Sequence, residues 1–199
     1  MHLFKAPDGQ LAALSAEIER RLRMPSPDPS SERSLSPFGS APAPSVISET
    51  LEIWRLKGEA LQEPGAGLGE RVVATGRLHH QVRAPGGLQA AQSEQQGDHL
   101  RFAGISSGAY AEDIAGGISR LRSLGLGASS SVRLLVFPPL NVHALWVTAD
   151  GGEHSGDQVL PVVDPSGGWS DAPRELVAPA RFLQDLGRFL GDGSEPDPG

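Results

Sequence analysis

The longest apolar run in the chain spans residues 132–147 and is broken by Pro138 and Pro139. Proline cannot donate to a β-ladder, so the run is predicted to form two strands, residues 132–137 and 141–148, with a sharp break between them. In the second, Val142, Ala144, Trp146 and Thr148 alternate with His143, Leu145 and Val147. Both sets are largely apolar, which predicts a strand covered on each face. His143 is the one polar residue in the middle of the stretch.

The rest of the pattern is predicted to pack on those strands. Leu11, Leu14, Ile18 and Leu22 recur at helical spacing behind Asp8, a residue type suited to an N-cap. Residues 51–56 predict a strand. Residues 72–83 predict the clearest one, with Val72, Ala74, Leu78, His80 and Val82 on one side and Thr75, Arg77, His79, Gln81 and Arg83 on the other. A turn at 85–87 and a hydrophilic stretch at 89–97, a loop or weak edge, lead to a short strand at 100–103. Ile114, Ile118 and Leu121 then share a helical face within residues 110–124, and Gly116 and Gly117 in that helix suit close packing on a sheet. A last strand is expected at 158–163. A last helix is expected behind Pro179, with Phe182, Leu183, Leu186, Phe189 and Leu190 as its apolar face.

The expected fold class is α+β. One mostly antiparallel sheet of about five or six strands carries helices on one face, in the order helix, linker, three strands, helix, three strands, helix. The domain reading is an amphipathic helix at 1–23, a Pro/Ser linker at 24–45, one α+β domain at 46–190 and an acidic tail at 191–199. The linker and tail are too polar and proline-rich to offset their ordering entropy, so both are expected to be disordered.

Composition narrows the function classes. There is no cysteine, which removes disulfides, thiolate catalysis and thiolate metal sites and gives no reason to place the chain in an oxidising compartment. Seventeen Lys and Arg face 24 Asp and Glu, a net charge of −7, so no nucleic-acid partner is expected. No stretch approaches the ~20 apolar residues that span a bilayer, and no signal-like segment opens the chain, so a cytoplasmic protein without a membrane partner is expected.

One motif carries chemistry. Gly104-Ile105-Ser106-Ser107-Gly108 fits G-x-S-x-G, and the helix expected after it supplies the right context. This resembles the nucleophile elbow of serine hydrolases of the α/β-hydrolase type, and the resemblance implies Ser106 as nucleophile with His143 and Asp164 as its base and orienting acid. With 25 glycines in 199 residues, such a match arises by chance about once in three chains of this kind. The strand before it alternates, and His143 precedes Asp164, against the hydrolase order. On this reading Ser106 or Ser107 caps the following helix instead. A histidine on a strand followed by Asp164-Pro165 also resembles the second half of papain-like peptidases, whose cysteine nucleophile is absent.

His79 and His80 are adjacent on a strand and point to opposite faces, so they are not expected to share a metal. His80 reads as a satisfied core histidine and His79 as a solvent-facing one. No metal and no cofactor is expected. The reading that fits best is a non-catalytic, bacterial-type accessory or interaction module, resembling small acidic chaperones and adaptors, with a protein partner of unknown identity and no assigned oligomeric state. Its expected contact surfaces are the helix face of Leu11, Leu14 and Ile18 and the sheet face of Arg77, His79 and Arg83. A Ser106 hydrolase is the alternative, and a small-ligand binding domain the third.

Overall fold

A computed structural model describes residues 1–22, 46–61, 67–84, 86–126, 130–148, 156–163 and 175–192. The linker expected at 24–45, Asp164, and the tail from 193 onward lie outside the described residues. The elements run α1 (Asp8–Leu22), β1 (Val46–Leu56), a short α2 (Leu68–Arg71), β2 (Val72–Ala84), β3 (Gly87–Gln96), β4 (His99–Ser107), α3 (Ala109–Ser123), β5 (Ser131–Phe137), β6 (Val142–Thr148), β7 (Gln158–Val163) and α4 (Pro179–Asp192). The α+β class expected from sequence holds, as one seven-stranded sheet in the order β4-β3-β2-β1-β5-β6-β7. The additional strand is β3, the polar stretch expected to be a loop or weak edge. Its ladders to β2 and β4 order it although few of its residues are β-formers.

Two antiparallel meanders, β1–β4 and β5–β7, meet where β1 runs parallel to β5 at Ile53–Leu134, Trp54–Leu135 and Arg55–Val136. A chain leaving β4 at the far edge must return across the sheet to start β5, and α3 is that return. The helix touches β3 and β4 at one end of the sheet and β6 and β7 at the other. A flat sheet of this many strands would be about 29 Å wide at ~4.8 Å per strand, wider than the roughly 22 Å that the 15 residues of α3 span. The sheet therefore curls around α3. Register shifts along the β1–β2, β3–β4 and β6–β7 ladders supply local bends, the largest where Thr75 and Gly76 (φ 69°) lie between the paired residues Ala74 and Arg77.

Helices cover both faces, not the single face expected. Inside the curl, Ile114, Ile118 and Leu121 of α3 bury against Leu51, Leu134, Leu145 and Leu160. Outside it, Phe182 and Leu186 of α4 pack on Leu135, Phe137, Ala144 and Trp146. Also outside, Leu14 and Ile18 of α1 close over Val82 and Ala91. The strand expected to be doubly covered is β6, and it is: Trp146 lies outside against α4 and Leu145 inside against α3. Trp146 donates through Nε1 to Asp157 Oδ2 at 2.9 Å, and Arg133 stacks over Trp54 and Trp146 at 4.8 and 5.0 Å from their ring centroids.

The break at Pro138–Leu140 is a single 3-10 turn, closed by Asn141 in the left-handed region (φ 50°), a conformation Asn tolerates better than most side chains. The N-terminal helix does not stand apart from the sheet. Gln10 Nε2 donates to the Asp98 carbonyl at 2.9 Å, and His2 bridges to Ser131, so residues 1–22 pack with the sheet they precede. No helix among the described residues is long and apolar enough to cross a membrane.

The glycine pair in α3 separates into two roles. A Cβ on Gly117 would run into Val162 and stand 2.9 Å from Leu145 Cδ1, whereas one on Gly116 would meet nothing within 4 Å. Gly116→Ala should raise stability by about 0.5–1 kcal/mol through helix propensity. Gly117→Ala should lower it by about 1–3 kcal/mol through overpacking. Urea denaturation midpoints of the two variants, moving in opposite directions, check this.

Candidate functional site

Ser106 is not on an elbow. It lies inside β4, paired with Ala90 of β3, and the turn into α3 comes two residues later at Gly108 (φ 81°). A nucleophile elbow puts the serine itself on the strained turn. Here Asn141 is the one non-glycine residue with positive φ among the described residues. Four strands stand between β4 and β6, the strand of His143. His143 Nδ1 has no hydrogen-bond partner and Ser106 makes no hydrogen bond to the ring. The helix cap expected from Ser106 or Ser107 is also absent, because the N-cap position belongs to Gly108 and no side chain caps it.

The two histidines of β2 part as geometry requires, but not to solvent and core. His80 faces outward from the curl beneath α1, where the hydroxyls of Thr50 and Ser93 hydrogen-bond its Nδ1 and Nε2 at 2.9 and 2.8 Å. It is the satisfied core histidine expected. His79, expected in solvent, is 0% exposed. The polar alternation of β2 was a sound sign of two faces, but α3 covers the polar one at positions 79 and 81. Gln81 Nε2 donates to the Ala111 carbonyl at 3.2 Å and to His79 Nε2 at 3.1 Å. With Nε2 of the neutral ring accepting, the proton sits on Nδ1, which is sealed from solvent and has no acceptor.

The expected contact face therefore splits into three. Arg83 is exposed at one end, His79 is buried in the middle, and Arg77 is exposed at the other end and paired with Glu94 at 2.7 Å. Glu94 also pairs with Arg101, and these two partners, Arg101 foremost, hold its carboxyl below the usual range. The other expected surface is spent as well, since Leu14 and Ile18 are buried on Val82 and Ala91. Among the described residues no group of three or more His, Asp or Glu side chains could hold a metal ion.

What the fold opens is a cleft inside the curl, at the first turn of α3, where β1 and β5 run out. Its volume is about 660 Å³. Arg55, Thr75, Arg77, Tyr110, Asn141 and His143 give it polar groups, and Ile53, Val73, Val136 and Pro138 give it apolar walls. Tyr110, the single tyrosine of the chain, stands edge-on between His79 and His143, with ring centroids 5.7 and 5.1 Å away. Tyr110 lines the cleft, and its hydroxyl makes no hydrogen bond among the described residues. His143 lines it too: Nδ1 is sealed, leaving Nε2 as the open nitrogen. Thr75 is committed, donating to the Ile53 carbonyl at 2.7 Å and accepting from the Arg77 amide at 3.2 Å.

Burial sets the charge states. It pushes His79 down to about 3, with the nearby His80 and His143 opposing its protonation further, and pushes His80 and His143 to about 4. It pushes the Tyr110 phenol up to about 12. At neutral pH all four rings are uncharged. A general acid or base works best with a pKa near the operating pH, and neither His143 nor Tyr110 has one. Among the described residues the lining holds no carboxylate to orient a base, its aliphatic hydroxyl, Thr75, is committed, and burial keeps the Tyr110 phenol protonated. Sequence pointed to His143 but not to Arg55 or Tyr110. The signal available for Arg55 was its place two residues beyond Ile53, a charge continuing the apolar face of a strand.

Two outcomes follow for the chain in solution. Fluorophosphonate labelling should show no adduct that disappears in Ser106→Ala. Stability should also fall in acid. Each ring is harder to protonate folded than unfolded, so above about pH 6.5 neither state carries the proton and nothing is lost. As pH falls from 6.5 towards 4 the unfolded chain takes up protons that the folded chain refuses, at about 1–2 kcal/mol per histidine by pH 5. Urea titrations at pH 7 and pH 5 should show this loss, and His79→Gln should reduce it.

No family model and no curated protein matches the chain. Among solved structures, it is similar to the N-terminal coiled-coil dimer of C. elegans SAS-6 (crystal form B), at 10% identity over 74% of this chain and 94% of that one. The TM-score of 0.26 is too low for that likeness to carry an argument about fold or function.

Proposed function

We propose that the chain is a non-catalytic binding module whose site is the cleft between the first turn of α3 and the ends of β1 and β5. The observation that carries this reading is that roughly 660 Å³ space, lined by Tyr110 and His143 beside apolar side chains. Sites for small organic ligands fall in this size range and pair apolar walls with a few directed polar groups. The two surfaces that favoured a protein partner in the sequence are largely taken up by the fold. The net charge of −7 supports a partner other than nucleic acid. A cytoplasmic setting, for a chain without cysteine to oxidise, belongs to the same reading.

A protein partner keeps one specific surface. Among the described residues β4 is an edge strand, paired on one side by β3, and Ile105 on it is 38% exposed. Open edges of this kind accept an added strand.

Val73 borders the cleft and is 38% exposed, so a larger side chain there can fill the space from the solvent side. On titration with a library of small aromatic fragments, amide NMR shifts should cluster at residues 73–77 and 136–143 and at Tyr110. Val73→Trp should abolish them while leaving the dispersed spectrum intact. Shifts scattered over the surface, or unchanged by Val73→Trp, would count against the cleft.

A further inference from the structure

We infer that the cleft selects an oxyanion, the carboxylate or phosphate head of a small organic molecule, and that Arg55 anchors it. This rests on the cleft being the binding site. On a protein of net charge −7, the lining among the described residues holds two arginines and no Asp or Glu. The two are not equivalent. Arg77 is held by Glu94, as eight arginines among the described residues are held by a carboxylate. Arg55 is exposed and has no such partner among the described residues. Its place is fixed by the parallel junction of the sheet, in register with Val73 on β2 and Val136 on β5.

A guanidinium matches a carboxylate or phosphate with two parallel N–H donors. Arg55 is exposed, so the selectivity rests on that two-point match rather than on exclusion of water. The remaining open groups agree in sign. The Tyr110 phenol, pushed up to about 12, keeps its proton and donates. The His143 ring is neutral, and carrying its proton on Nε2 leaves the sealed Nδ1 as an unused acceptor, cheaper than an orphaned donor. His143 then also presents a donor. Ile53, Val73, Val136 and Pro138 offer an apolar body its contacts. The ligand class is thus a small organic acid or phosphate monoester with an apolar body, not a bare ion and not a cation.

The test uses the full chain at pH 7 and low salt, with amide NMR titrations of benzoate, phenyl phosphate and the neutral isostere benzamide. The expected result is saturable shifts at residues 73–77 and 136–143 for benzoate or phenyl phosphate, with benzamide at least tenfold weaker. The tighter of the two anions identifies the head group. Arg55→Gln should weaken the anion at least tenfold with its spectrum otherwise preserved, and Arg83→Gln, an exposed arginine at the far end of β2, should not. Equal binding of benzamide and benzoate would overturn the oxyanion selection while leaving the cleft as a binding site. Undiminished anion binding by Arg55→Gln would overturn the anchor. Failure of all three compounds to shift cleft residues would overturn the cleft reading itself.

Discussion

How closely α3 can sit in the curled sheet governs the rest of the concave face. At Gly117 the helix backbone comes so near Val162 and Leu145 that no side chain fits between them. That approach lets one helix reach strands at both ends of the sheet, and it packs Ile114, Ile118 and Leu121 with apolar residues of four of the seven strands, β1, β5, β6 and β7. The parallel junction of β1 and β5 makes α3 obligatory, since the chain must recross the sheet after β4. The bends in the ladders let the sheet close on the helix.

Seating α3 there has a cost. Its first turn comes down on the polar side of β2 and buries His79 and Gln81, leaving His79 Nδ1 and Gln81 Oε1 without partners. Each orphaned polar atom of this kind costs on the order of 1–3 kcal/mol. His80, one residue away on the opposite face, has both nitrogens satisfied by hydroxyls and carries no such debt. Unsatisfied polar groups thus concentrate beneath the end of α3 that borders the cleft. Tyr110 links the two, with one neighbouring ring buried and the other lining the open space.

The serine motif shows how little a five-residue pattern decides. Gly104 to Gly108 does join a strand to a helix, as the hydrolase resemblance requires. But Ser106 is held in the β4 ladder by Ala90, and the positive φ falls on Gly108. A nucleophile needs its base within a hydrogen bond's reach, and β4 and β6 are placed on different sides of the parallel junction.

Local patterning carried much of the fold. The spacing of Ile114, Ile118 and Leu121, the alternation on either side of Leu145, the break at Pro138 and the start at Pro179 each depend on neighbours within one or two turns, and each appears as expected. So do the two faces of β2, because adjacent side chains on a strand must diverge. What covers each face depends on chain far away in sequence, and no local period encodes it. Thus α3 buries His79, α1 spends Leu14 and Ile18 on the sheet, and β3 pairs despite its polar composition. The cleft belongs to the same class: Arg55, Tyr110 and His143 come from two strands and a helix, and only the curl of the sheet around α3 brings them to one space.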